Sequence, residues 1–346
     1  MTKEEFLTTL LAQVTVSGCE EDGAEVVAQY MKDVADEIRR DDIGNTVCVL
    51  KPDCDCRVLL SAHIDEIGLL VTAVTADGRL LVTDRGGIVT GTYPGHQILV
   101  HTQNGLVCGV VESHRGLFAK EGGLKTKDFL IDIGVDTKEE ALKLVALGDT
   151  VVFDAGVKRM AGGRFSGRAL DDRLGVFIIM EALRRVKGQE QCGIYSAATV
   201  GEETTKNGAY WTTKRVKPSL AVVVDVTYAT DCSGAVIADT GEVKLGGGPV
   251  LCNSPLVSKQ LNRIMRECAR DLNIPVQTEA TDRLTHTDAD KIHFSGEGVP
   301  TVLVSIPLRY MHNPAEVADE RDVKGCIELI AEFLRRCRPE TMEFRS

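Results

Sequence analysis

Four mostly apolar runs recur along the chain: "RVLLSA" (57–62), "CGIYSAATV" (192–200), "LAVVV" (220–224) and "VPTVLVSIPL" (299–308). Each is short and bounded by charged or turn-forming residues, the texture of a strand buried on both faces. Between and after them lie "ALDDRLGVFIIMEALRRV" (169–186), "SPLVSKQLNRIMRECARDL" (254–272) and "DVKGCIELIAEFLRRC" (322–337), all with helical texture. Ser254 as N-cap and Pro255 at the first helical position predict where the second of these begins. Strands that alternate with helices predict an α/β fold, a largely parallel sheet sandwiched by helices. Near the amino terminus, Val26, Val27, Tyr30, Met31, Val34 and Ile38 recur at three and four residues and predict a further helix.

The texture changes after Gly68. Between about residues 69 and 162 short alternating runs are separated by turn signals, Asp77-Gly78 and Asn104-Gly105 among them. "HQILVHTQNGLVCGVV" predicts a hairpin, with Asn-Gly in a type I′ turn. One helix, 138–147, interrupts the region. The expected division is a catalytic α/β domain in two parts, 1–68 and 163–346, with a small β-rich domain, 69–162, inserted between them.

Composition narrows the function. The 346 residues are 43% hydrophobic and 26% charged, which reads as a globular enzyme-sized chain. The net charge of -11, from 51 acids against 40 bases, comes with no basic block. That argues against nucleic acid as a partner, because phosphate binding needs clustered Lys and Arg. Eleven cysteines without a CxxC pair read as thiols in a reducing cytosol, so a cytoplasmic protein is expected. The acidic start "MTKEEFLTTLL" does not read as a secretory signal, and no uninterrupted apolar stretch approaches the length of a membrane span.

In open α/β sheets ligands bind beyond the carboxyl ends of the strands. "RVLLSA" runs into His63-Ile64-Asp65, and "CGIYSAATV" into Gly201-Glu202-Glu203. "LAVVV" runs into Asp225, "VPTVLVSIPL" is followed by His312, and Asp171 and Asp172 enter a helix after "SGRAL". Five separate segments thus deliver His, Asp or Glu to one expected rim. Any one of them alone reads as an ordinary core histidine or solvated acid; their convergence points to a metal centre. In His-x-Asp the two side chains of an extended strand share a face, so Asp65 can orient the ring of a metal-binding His63. Two divalent cations carry four positive charges, which Asp171, Glu203, Asp225 and a hydroxide would balance, with His63 and His312 as neutral ligands. Such a set of imidazoles and carboxylates without thiolate suits zinc, cobalt or manganese.

Taken in order, "SAHIDEIGLLV", "GRALDDRLG", "VGEETTKNGA", "VVVDVTYATD" and "LRYMHNPAEV" resemble the motifs of the tetrahedral, dinuclear-metal aminopeptidases. That family includes glutamyl, leucyl and lysyl aminopeptidases, some of them labelled endoglucanases. The resemblance implies a zinc-peptidase-like catalytic domain carrying an inserted β-barrel or PDZ-like oligomerisation domain. It implies a metal-dependent release of the amino-terminal residue from peptides and a homo-oligomer of twelve subunits. By motif position it implies Asp171 as the bridging carboxylate, Glu202 as general base, and Glu203 and His312 as ligands of one metal. His63 and Asp225 correspond to ligands of the other, and Asp65 to the supporting carboxylate. His286 and Asp290 stand where relatives carry Gly, and Val200 where many carry Gln, so the preferred amino-terminal residue is left open. The nearest alternative is metal-dependent deacylation or amidohydrolysis of small acyl amino acids. A glycoside hydrolase needs two carboxyls flanking a bond and gives the histidines no role.

Overall fold

The structure, a computed structural model, describes residues 1–339. Two helices, Lys3–Ala12 and Glu21–Met31, open the chain, followed by the strands β1 (Glu37–Arg40), β2 (Thr46–Leu50) and β3 (Arg57–His63). The barrel strands follow: β4 (Gly68–Val74), β5 (Leu80–Arg85), β6 (Gln97–Thr102), β7 (Gly105–Val111), β8 (Leu130–Asp132) and β9 (Thr150–Phe153). Next come β10 (Lys158–Arg159), β11 (Arg164–Gly167), β12 (Gly193–Thr199) and β13 (Leu220–Tyr228). The last are β14 (Val250–Asn253), β15 (Gln277–Ala280), β16 (Thr301–Leu308) and β17 (Glu316–Asp319).

Eight strands form the main sheet in the order β1-β2-β12-β3-β13-β16-β14-β15. Its centre, β12, β3, β13 and β16, is parallel throughout, while antiparallel pairs join the outer strands to it. Alternate residues serve opposite faces, as the pleat requires. Val58, Leu60, Val222 and Val224 pack against the helices Leu170–Val186 and Glu320–Arg336 and the amino-terminal helices. Leu59, Ala221, Val223 and Leu303 pack against the helices Asn207–Val216 and Ala289–His293 on the other face. A sheet with helices on both faces is thus present, as the alternating texture predicts.

The six strands β4-β5-β8-β7-β6-β9 close into an antiparallel barrel. Leu69, Val71, Ile98, Val100 and Ile131 fill it, with the Tyr93 and Phe153 rings 4.3 Å apart. The remaining sheet, β10-β11-β17, sets the β11 residue Gly167 opposite Glu316 of β17. That pairing draws the "GRALDD" and "HNPAE" segments together although they are far apart in sequence.

Several local expectations give way to tertiary context. The first amphipathic segment is helical only over Glu21–Met31, and Ile38 instead pairs with Cys48 between β1 and β2. The helix expected from Ser254 begins at Lys259, capped by the Ser258 hydroxyl, because Ser254 Oγ is engaged by a turn amide and the Arg283 carbonyl. The β6-β7 hairpin forms, but Thr102 pairs with Gly105, which leaves Gln103 and Asn104 as the loop and only Gly105 at positive φ. A type I′ turn on Asn-Gly needs both residues there. The helix expected over 138–147 is Lys138–Leu144, and a further short helix, Arg115–Phe118, lies in the same region. Among the described residues, no helix is long and apolar enough to cross a membrane.

Candidate metal centre

Parallel pairing fixes the first part of the centre. His63 ends β3 and lies in register with Thr199 of β12. On its other side Val223 pairs with Ser61, which carries Asp225 to the level of His63. Asp225 does not end its strand as expected: β13 continues to Tyr228 because β16 pairs with it to that point. The odd residues of β3 and β13 face the thinly covered side of the sheet, so both side chains point to one crevice.

Asp171 arrives from the start of the helix Leu170–Val186, where Ala169 has φ 53° and the first residues are not helical. The Glu316 carboxylate fixes this irregular entry by accepting the amides of Leu170 at 2.7 Å and Asp171 at 3.2 Å. Its other oxygen accepts the His312 amide at 2.8 Å. One carboxylate thus clamps two segments that both deliver centre residues. Glu202 and Glu203 follow β12 through Gly201, which has φ 68°, and their amides donate to the Asp65 carboxylate at 3.0 and 3.2 Å.

Asp171 is the hub. Its Oδ1 lies 3.1 Å from His63 Nε2 and its Oδ2 lies 3.2 Å from His312 Nε2. Two groups of potential ligand atoms share it: His63, Asp171 and Asp225, and Asp171, Glu203 and His312, each with all atoms within 4.8 Å. His63 Nε2 stands 3.9 Å from Asp225 Oδ1, and His312 Nε2 stands 3.3 Å from Glu203 Oε1. Glu202 belongs to neither group; its Oε2 is 4.0 Å from His63 Nε2, and its Oε1 accepts from Lys206 Nζ.

Both histidines are oriented to present Nε2. His63 Nδ1 is 3.1 Å from the Asp65 carbonyl, and His312 Nδ1 is 2.7 Å from the Gly87 carbonyl. A carbonyl can only accept, so each Nδ1 carries a hydrogen and Nε2 is the nitrogen that can bind a cation once its own proton is displaced. The Asp65 carboxylate is 3.5 Å from His63 Nδ1, so its closest contacts are with the Glu202-Glu203 turn and the Ser17 hydroxyl.

Electrostatics show what the residues lack. Burial, with the charges of Asp171 and Glu202, holds the Asp225 carboxyl well above the usual carboxylate range despite His63. Burial likewise pushes Glu203 up to about 7, against its bond to His312. The imidazoles compensate by holding protons: burial opposes this, but the bonds to Asp171 and Glu203 raise His312 to about 12. His63 is raised well above its ordinary value, burial again being outweighed by Asp171 and Asp65. Protons sit where the donor set has room for cations, and imidazole and carboxylate donors of this kind fit zinc, cobalt or manganese.

His63, Asp171, Glu202, Glu203, Asp225 and His312 line one cavity, and Asp65 lies behind them. Sequence reasoning missed Glu316 and Lys206. Glu316 stands four residues after His312 in a quoted motif, a spacing that offered a signal; the Lys206 contact follows from i,i+4 spacing after Glu202. His286 also lines the cavity, while Asp290 instead caps its own loop by accepting the amides of Thr285 and His286.

Comparison with known proteins gives a consistent result. The family profile of M42 glutamyl aminopeptidase matches residues 44–329. The lysyl aminopeptidase of Pyrococcus furiosus is 33% identical, with 97% of each chain covered. Among solved structures, a TET aminopeptidase from the archaeon Thaumarchaeota archaeon SCGC AB-539-E09 superimposes with a TM-score of 0.92 at 30% identity, over 99% of this chain and 98% of that one. The TET1 peptidase of Pyrococcus horikoshii, which can assemble into a tetrahedron or a large octahedral shell, gives 0.87 at 31% identity over 97% and 100%.

Proposed function

Because this chain belongs to the M42 glutamyl aminopeptidase family and is therefore a hydrolase of the aminopeptidase class, we propose that it releases the amino-terminal residue of peptides using two divalent cations and Glu202 as general base. One observation carries the reading: the two oxygens of Asp171 address two different histidines, while Glu202 is left outside both ligand groups. Asp171 would bridge the cations, with His63 and Asp225 on one and Glu203 and His312 on the other. When bound, such a pair polarises a peptide carbonyl and acidifies a water. Zinc or cobalt suits the donors best, and manganese is compatible with them.

The remaining roles belong to the chain. Lys206 Nζ holds Oε1 of Glu202 and also donates to the His286 carbonyl at 3.0 Å. That leaves Oε2 turned toward the centre, where it takes the proton of the attacking water and returns it to the departing nitrogen. Asp65 fixes the turn through the amides of both glutamates, so base and ligand keep their spacing.

The 69–162 segment is assigned the role of an assembly domain between the two catalytic parts, 1–68 and 163–346. Its closed barrel and the shells formed by the Pyrococcus horikoshii relative support a homo-oligomer, a tetrahedral dodecamer. The eleven cysteines form no disulfide among the described residues, in keeping with a cytoplasmic setting.

The test is Glu202→Gln. Hydrolysis of aminoacyl fluorogenic substrates is expected to fall by about a hundredfold to ten-thousandfold with cation content unchanged. Normal turnover in that variant would remove Glu202 from the mechanism. Peptides with a free amino terminus should be cleaved and acetylated ones spared; the reverse pattern would favour the deacylase alternative.

A further inference from the structure

The centre opens into a cavity of about 540 Å³. Away from the ligand set its walls include Thr227, Cys252, Leu303 and Ser305, and one buried acid, Glu279 of β15. Ser305 Oγ donates to Glu279 Oε1 at 2.9 Å, and Thr227 Oγ1 donates to Oε2. Among the described residues no Lys or Arg side chain lines this cavity. The other acid outside the centre, Asp282, is exposed and lies 3.3 Å from the Arg283 guanidinium, a solvated pair of little consequence.

The sheet fixes where the Glu279 carboxyl stands. Ser305 is the register partner of Asp225 on the neighbouring strand, and Thr227 is two residues beyond Asp225 on the same face. A carboxyl bonded to both is on the face of the centre, roughly 5–10 Å from Asp225 at strand spacings of about 5 Å. A four-carbon side chain bearing an ammonium spans such a distance from a main chain held at the centre.

A buried acid held only by hydroxyls and a thiol is an expensive wall. Burial raises the Glu279 carboxyl above its ordinary range, with Thr227, Ser305 and Cys252 opposing. An apolar residue there would avoid that cost, so packing alone gives no account of it. An arriving cation supplies the missing partner and favours the ionised form.

We propose that Glu279 is a specificity-determining residue that selects peptides whose amino-terminal residue carries a cationic side chain, lysine or arginine. The proposal rests on the aminopeptidase reading above. It differs from a generic preference for large residues, because isosteres without charge should lose the advantage.

The experiment compares kcat/KM of the metal-loaded protein on lysyl, arginyl, leucyl, norleucyl and glutamyl p-nitroanilides. Lysyl and arginyl substrates should lead norleucyl and leucyl by at least about tenfold. In Glu279→Gln, whose amide oxygen accepts from one hydroxyl while its NH2 donates to the other once that hydroxyl rotates, the lysyl and arginyl values should fall about ten- to hundredfold. The leucyl value should stay within about threefold, so the same preparation reports its own folding. Lysinamide should also inhibit the unaltered protein more tightly than norleucinamide, which keeps the proposal open to failure without any variant. A wild-type preference for leucine or glutamate overturns it, as does an equal loss on all substrates in Glu279→Gln. Failure to hydrolyse any of the five would instead overturn the aminopeptidase reading on which it rests.

Discussion

Two clusters of buried charge lie side by side, built from alternating residues of the same two segments. His63 and Asp65 go to the candidate metal centre, His63 as a potential ligand and Asp65 as the support of the Glu202-Glu203 turn, whereas the next residue, Glu66, goes to a network with Arg168 and Arg173. Asp171, between those arginines in sequence, belongs to the centre. In the Glu66 network the chain supplies its own counter-charges: Arg168 bonds Oε2, and Arg173 lies 2.9 Å from Oε1. Burial opposes ionisation of Glu66, but the two guanidiniums outweigh it and hold the carboxyl below its usual range. In the centre the carboxylates outnumber their fixed cations, and Asp225 and Glu203 are pushed up instead. The locally neutralised Glu66 fixes structure, whereas the surplus of acids gathered around two imidazoles leaves charge that an external cation would balance.

Removing Asp225 should break the comparison most sharply. Asp225→Asn is expected to lower activity by about a thousandfold or more through loss of a cation, since the polarisation it supplies is worth several kcal/mol. The metal-free variant should melt no lower than the metal-free parent, because the cost of burying a carboxyl that is ionised in the unfolded chain has gone. Cation content by mass spectrometry and melting after chelation decide the matter. A marked loss of stability with metal retained would make Asp225 a structural acid.

Arg173→Met should do the opposite. It leaves fully buried Glu66 with only Arg168 and removes the bonds from Arg173 Nη1 to the Leu10 and Gln13 carbonyls, at 2.9 and 2.7 Å. Breaking a buried pair in this way costs about 3–5 kcal/mol. Denaturant unfolding should register that loss while the folded fraction keeps its cations. Loss of metal without loss of stability would merge the two clusters into one functional unit.

Chelation should reveal the centre's missing charge as a pH dependence. For Glu203 the folded value, about 7, exceeds the unfolded one. Its contribution is therefore fully present below about pH 4.5 and lost as the pH rises toward 7. His312, raised to about 12, contributes stability that is present below about pH 6.5 and lost as the pH rises through its folded value. Asp171, lowered by its two imidazole partners against burial, titrates below that window. The metal-free protein should thus lose melting temperature between pH 5 and 8 relative to the loaded protein. A gap that narrows with rising pH would contradict the charge account.

The candidate centre was legible in the sequence because most of its residues follow short apolar runs, where the run and the polar residue after it can be read together, although Asp225 lies inside its strand and Asp171 at a helix start. The parallel core of the sheet was legible for the same reason. What holds the ligands was harder to read. Asp65 was expected to serve the His63 ring through strand periodicity and does stand 3.5 Å from it, but its carboxylate also grips amides 137 and 138 residues away, which no local pattern encodes. Glu316 clamps Leu170 and Asp171 through the β11-β17 pairing, a contact between short strands with little sequence signal. Ser254-Pro255 made a sound helix start on local grounds, but a tertiary bond to the Arg283 carbonyl moved the start to Lys259.

The finest test uses two hydroxyls two residues apart. Ser17 Oγ donates to Asp65, on the side of the centre, and Thr15 Oγ1 donates to the Ile64 carbonyl at 2.8 Å while its amide donates to Glu66 at 3.0 Å. Both side chains are buried, so each substitution should cost about 1 kcal/mol of stability. Their effects on function should differ. Ser17→Ala loosens the carboxylate that spaces Glu202 and Glu203, and about a tenfold loss in metal affinity or kcat is expected, as for outer partners of metal ligands. Thr15→Val removes only the hydroxyl bond to the Ile64 carbonyl, keeps the amide bond to Glu66 and touches none of the candidate ligands, so it should leave both unchanged. Equal functional losses would mean that strain passes freely between the clusters; a loss confined to Ser17→Ala would mean that the neighbouring residues Asp65 and Glu66 serve two independent tasks.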